Sequence, residues 1–171
     1  MSIARIGIIT VSDRVNEGIY EDLSGKAIIN TLNDYLTSEW KEFYKIVPDE
    51  QELIEKAIID LVDNKQCCLV ITTGGTGLTG RDITPEAIEE IADKQIPGFG
   101  EVFRTISLKT VGTSAIQSRA CAVLANGKYV FALPGSSGGV TDAWDGILKH
   151  QLDINHKPCN FVELFPRLKE K

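Results

Sequence analysis

Long apolar runs are missing from this chain. The longest, residues 120–125, has six members, whereas a membrane-spanning helix needs about 20. Histidine is nearly absent: His150 and His156 alone leave little from which to build a His-based metal site. Cysteine is sparse as well, and Cys67, Cys68, Cys121 and Cys159 form no C-x-x-C pair. They read as buried free thiols in a reducing cytoplasm, not as zinc ligands. Positive charge is in deficit. The 18 Lys and Arg face 24 Asp and Glu, for a net charge of −6, which argues against a nucleic-acid footprint or a membrane-surface patch. Repeats, low-complexity segments and linkers are also lacking. The 171 residues are therefore expected to form one domain over 1–171, with the tail 151–171 unassigned. The opening MSIARIGIITVSD reads as a strand, not as an apolar signal segment.

What is present is alternation. Residues 4–11 form a short apolar strand. Ala27, Ile28, Leu32, Tyr35 and Leu36 then share a helical face. Residues 43–48 read as a second strand, and Leu53, Ile54, Ala57, Ile58, Leu61 and Val62 form a stripe of helical period. Residues 67–73, the most apolar, form a third strand suited to the sheet centre. Helices are expected over 85–94, 98–110 and about 140–150. Asn126-Gly127, between two apolar runs, marks a hairpin. Strands alternating with helices predict an α/β fold: a three-layer arrangement with a mostly parallel sheet, one antiparallel strand and helices on both faces. Trp40 and Trp144 read as packing or interface residues.

In such sheets ligands bind at the carboxyl ends of the parallel strands. Unusual loops follow four of them. The first strand is followed by Ser12-Asp13-Arg14 and the second by Pro48-Asp49-Glu50. The third runs from Thr73 into Gly74-Gly75-Thr76-Gly77 and on to Asp82. The last ends in Pro134-Gly135-Ser136. The string at 75–80 fits G-x-G-x-x-G, but the dinucleotide fingerprint opens its helix within the glycines. Here the helix is expected later, with Thr84 as N-cap and Pro85 at the first helical position. No Walker lysine follows either. A glycine-rich loop of this kind can offer backbone N–H groups to an anion. Asp82 reads as a turn residue, or as a carboxylate that holds Mg²⁺ beside bound phosphates. Asp49 reads as a helix N-cap with Glu52 three residues on, a role compatible with facing the same site. Ser107, Ser118 and Arg119 add polar and cationic handles.

These stretches together resemble the molybdopterin adenylyltransferase family, of the MogA and gephyrin-G-domain type. The matching segments are ITVSDR, VPDE, LVITTGGTG, RDITPEA, PGFGE, the Ser118-Arg119 pair and LPGSSGG, in family order across about residues 4–150. The resemblance implies a cytoplasmic homotrimer of MoaB/MogA-like subunits. It implies that molybdopterin and Mg-ATP yield adenylyl-molybdopterin and pyrophosphate, for hand-off to a molybdenum-insertion enzyme. It assigns catalysis, with Mg²⁺ binding, to Asp49 and Asp82. Ser12, Asp13, Thr73, Gly74, Gly75, Thr76, Gly77, Ser107, Ser118, Arg119, Pro134, Gly135 and Ser136 fall to nucleotide and pterin binding. Two other readings remain open: a non-catalytic pterin-binding module of the MoaB kind, and a nucleotide hydrolase on the same fold.

Overall fold

Alternate residues of the first strand serve two different cores. Ile6 and Ile8 pack into one apolar cluster, while Ile9 and Val11 pack into the other. That period of two places helices on both sides. The computed structural model describes residues 3–170; residues 1, 2 and 171 of the expected domain lie outside the described residues. The order is β1 (Ala4–Val11), α1 (Asp13–Asn16), α2 (Leu23–Tyr35), β2 (Trp40–Val47) and α3 (Gln51–Ile59), prolonged by a π turn at Asp60–Asn64. Then come β3 (Leu69–Thr73), α4 (Thr84–Glu90), β4 (Lys94–Gln95), α5 (Pro97–Val111), β5 (Cys121–Ala125) and β6 (Lys128–Leu133). Last are α6 (Ser137–Ala143), continued by a π turn into α7 (Lys149–Gln151), and α8 (Phe161–Leu164).

The sheet order is β2-β1-β3-β6-β5-β4. β2, β1, β3 and β6 are parallel, and β5 runs against both of its neighbours. The sheet expected from sequence is therefore present. Helices α2, α5 and α6 cover one face, with Ile28, Leu32, Phe103 and Val140 buried; α3 and α4 cover the other with Ile54, Ile58, Ala87 and Ile88. The hairpin turn places Asn126 at φ 47° and Gly127 at φ 69°, the two positive values that a tight hairpin of right-handed twist requires.

Several boundaries differ from expectation. β4 was not anticipated. Its two residues pair with Val123 and Leu124, so the helix expected to reach residue 94 stops at Glu90. Trp144 is buried within its own chain, edge-on to Tyr35 with ring centroids 5.3 Å apart. It therefore offers nothing to a subunit interface. Cys159 is exposed, unlike the expected buried thiol, and Cys67 is buried. Beyond residue 150 the tail is tied to β6. Phe161 stacks on Tyr129 at 4.7 Å and accepts its hydroxyl at 3.1 Å.

Candidate active site

β1 has β2 on one side and β3 on the other, so the chain reverses its direction of progress across the sheet at this point. A crevice forms outside the carboxyl ends of strands at such a switch. Here it is a cleft of about 1000 Å³, walled by the loops after β1, β2, β3 and β6. The loops touch. A Cβ on Gly74 would overlap the Val11 carbonyl, and one on Gly135 would sit 3.2 Å from the Gly74 Cα. Asp49 Oδ1 lies 3.2 Å from where a Gly75 Cβ would be. Glycine at 74 and 75 is thus a packing requirement as well as a conformational one, since their φ values are 101° and 66°.

The glycine loop turns its carbonyls away from the cleft. Thr84 donates from Oγ1 to the Gly74 carbonyl (2.9 Å) and from its amide to that of Gly75 (3.0 Å). Arg119 donates from its amide to the Thr76 carbonyl (2.9 Å) and from Nε to that of Gly77 (2.7 Å). Among the described residues the amides of Gly75 and Thr76 donate to no protein group. Both residues line the cleft, where unpaired backbone amides can serve an anion. The expected N-cap role of Thr84 is corrected by this geometry. Ile83 occupies the cap position without a side-chain bond, because the Thr84 hydroxyl is drawn back to the loop.

Asp82 and Asp49 both line the cleft. Asp82 Oδ2 accepts from the Thr79 amide (2.8 Å) and hydroxyl (2.6 Å), so the turn role read from sequence is real. Partial burial pushes its carboxyl up. The Thr79 donors, the Gly77 amide and the Arg119 charge outweigh that and hold it below the usual range. Asp49 is shifted the other way, chiefly by burial. Its expected N-cap role is also corrected: Glu50 is the cap residue of α3 and makes no side-chain cap bond. Asp49 Oδ2 instead accepts the Asp13 amide (2.8 Å), while Asp13 Oδ1 accepts the Asp49 amide (3.0 Å). This reciprocal clasp joins the β1 and β2 loops across 36 positions of sequence. Arg81 closes it from the β3 loop, donating from Nε and Nη2 to the two Asp13 oxygens at 3.0 and 2.9 Å and from Nη1 to Glu50 at 3.1 Å. That pairing holds the Asp13 carboxyl below its ordinary value.

Ser12, Asp13, Thr73, Gly74, Gly75, Thr76, Gly77, Ser118, Pro134, Gly135 and Ser136 line the same cleft. Ser107 does not. It lies buried on α5, its hydroxyl 3.1 Å from Asp142 Oδ2 on α6, where it joins the two helices. Arg119 is also absent from the cleft wall, because its guanidinium faces the back of the glycine loop. Arg81, Asp22 and Arg14 are among the lining residues that sequence reasoning misses. Arg81 was visible as the cation beside Asp82. Asp22 caps α2 by accepting the Gly25 amide (2.9 Å), and it takes the Thr10 hydroxyl at 2.6 Å and that of Tyr44. Arg14 adds the other cation of the wall.

The sequence model described as "Probable molybdopterin binding domain" matches residues 7–154. The chain belongs to this family. It is 48% identical over 147 residues to the molybdopterin adenylyltransferase of Helicobacter pylori, covering 86% of this chain and 83% of that one. It is 38% identical over 166 residues to molybdenum cofactor biosynthesis protein B of Escherichia coli, covering 97% and 94%. A crystal structure of a molybdenum cofactor biosynthesis protein B superposes with a TM-score of 0.83 at 35% identity, over 99% of this chain and 98% of that one.

The donor set fits a hard divalent cation that arrives with phosphates. Among the described residues no three His, Cys, Asp or Glu side chains gather into a protein-only metal centre. Two carboxylates are the usual protein share of a Mg²⁺ site whose remaining ligands are phosphate oxygens and water. No helix of the described residues is long and apolar enough to cross a membrane.

Proposed function

We propose that this protein is a nucleotidyltransferase of molybdenum cofactor biosynthesis that adenylylates molybdopterin with Mg-ATP and releases pyrophosphate. One observation carries the reading. The glycine loop meets both acids in one cleft, with Gly75 against Asp49 and Gly77 against Asp82, which brings unpaired loop amides and carboxylates to the same wall. Family membership and the names of the relatives supply the substrate. A cleft of about 1000 Å³ has room for a pterin and a nucleotide together.

The chemistry follows from charge. A phosphate oxygen of molybdopterin attacks the α-phosphorus of ATP, the bond from that phosphorus to the bridging oxygen breaks, and pyrophosphate leaves. Both reactants are anions, so the protein must align them and offset their repulsion. Mg²⁺, when bound, neutralises phosphate charge and assists the leaving group. Asp82 and Asp49 would hold it. The free amides of Gly75 and Thr76 would donate to phosphate oxygens, and the Asp13–Asp49 clasp would fix the spacing of the two acids. No general base is needed, because the attacking phosphate is already ionised near neutral pH.

Incubation with molybdopterin, ATP and Mg²⁺ tests the reading. Pyrophosphate release that requires the pterin supports transfer. Release without pterin supports a hydrolase. A second reading has its own support. The alignment to the Escherichia coli protein B takes in most of the segment beyond residue 154, where the family match ends. A pterin-binding module of the MoaB kind would bind molybdopterin and release no pyrophosphate. We further propose a homotrimer in the cytoplasm that passes its product to a molybdenum-insertion enzyme. Val102, Leu108, Val111 and Ile116, all exposed on α5 and the turn after it, favour self-association.

A further inference from the structure

We infer that Arg119 is a positioning residue that holds the glycine loop and Asp82 in their working arrangement from behind, without touching substrate. Its contacts reach both ends of the segment they enclose. The Arg119 amide bonds the Thr76 carbonyl at 2.9 Å, Nε bonds that of Gly77 at 2.7 Å and Nη2 bonds that of Asp82 at 2.6 Å. The remaining nitrogen, Nη1, pairs with Glu86 in the first turn of α4. Every guanidinium nitrogen is thus engaged on the far side of the loop. Glu86 offsets the charge, so Arg119 is poorly placed to serve as a ligand cation.

The geometry explains why a fork is needed there. A loop that presents amides to an anion must turn its carbonyls the other way, and a carbonyl left unpaired there is costly. Arg119 supplies donors for three of them. Between its anchor points Thr79 is held by Asp82 and Arg81 by Asp13 and Glu50, but Leu78 is 65% exposed and a Cβ on Gly80 would meet nothing within 4 Å. The planar guanidinium reaches two carbonyls and a carboxylate from one position, which a lysine ammonium cannot do. Losing it would loosen both the Gly75 and Thr76 donors and the Asp82 main chain.

The kinetic part of this inference rests on the adenylyl-transfer reading, whereas the ordering of the loop stands apart from it. The test therefore uses two measurements on Arg119→Ala and Arg119→Lys. Amide hydrogen exchange of the unliganded proteins comes first. Exchange of the Gly77, Thr79 and Asp82 amides, which are hydrogen-bonded within the loop, should rise by roughly tenfold in Arg119→Ala and less in Arg119→Lys, with β1 and β3 amides unchanged. Pyrophosphate release comes second. Its kcat should fall by about 10–100-fold, since displacement of a reacting group by about 1 Å costs that order. Added methylguanidinium should restore part of the Arg119→Ala rate. Unchanged exchange at Gly77, Thr79 and Asp82 would overturn the inference. So would a raised KM with normal kcat and no rescue, the pattern of a direct ligand contact. If the wild-type protein releases no pyrophosphate, the adenylyl-transfer reading fails and the exchange result alone decides the role of Arg119.

Discussion

Asp82 and Asp49 are shifted in opposite directions, and that difference makes their substitutions distinguishable. The folded-state pKa of Asp82 lies below the ordinary value. Its ionised form therefore stabilises the fold above the unfolded pKa, and that stability is lost as pH falls through the folded one. Asp82→Asn should lower the melting temperature of the unliganded protein slightly near neutral pH, the gap closing below about pH 4. Adenylyl transfer should fall by roughly 10²–10³, about 3–4 kcal/mol of transition-state stabilisation at 1.36 kcal/mol per decade. Asp49 is raised, so its ionised form is disfavoured in the fold. Its contribution is present below the unfolded pKa and lost as pH rises through the folded one. Asp49→Asn should therefore raise the melting temperature near neutral pH, again converging with wild type below about pH 4. Melting curves taken from acid to neutral pH check both signs. Equal shifts in one direction would contradict the assignment of the two environments.

At the scale of elements, the glycine loop tolerates no side chain at its start. Gly75 sits at φ 66°, and a Cβ there would overlap Thr84 Oγ1. Gly75→Val should cost about 1–3 kcal/mol through strain and abolish nucleotide binding, measured by thermal melts and calorimetric titration. Retained binding would move the anion site elsewhere. In the tail, Phe161→Ala should cost roughly 2 kcal/mol, below the range for a fully buried Phe. The ring is only half-buried, although it stacks on Tyr129; urea unfolding checks the value. The sheet was legible in sequence because its signals are local: Ile6, Ile8, Ile9 and Val11 alternate, and Asn126-Gly127 demands one kind of turn. The loops around the cleft were legible because they follow those strands. What was not legible is non-local. Asp49 with Glu52 reads as a cap, yet its partner is Asp13, distant in sequence. Arg119 reads as a ligand cation because sequence gives its charge but not its direction. Ser107 lies on the face of α5 turned toward Asp142, and no local pattern distinguishes that face from one at the cleft. β4 is too short and polar to show any period.

At the scale of the whole molecule, the exposed apolar residues of α5 and the following turn leave a surface that self-association would cover. Light scattering at micromolar concentration should return a trimer mass, and a monomer mass would contradict the proposed assembly. The central claim concerns where the nucleotide goes. ATP radiolabelled at the α-phosphorus, incubated with the protein, molybdopterin and Mg²⁺, follows that atom directly. The account predicts label that co-migrates with the pterin as adenylyl-molybdopterin, with unlabelled pyrophosphate released in equal amount. Label recovered only as free AMP or ADP, or left in ATP while the pterin is bound, would contradict it.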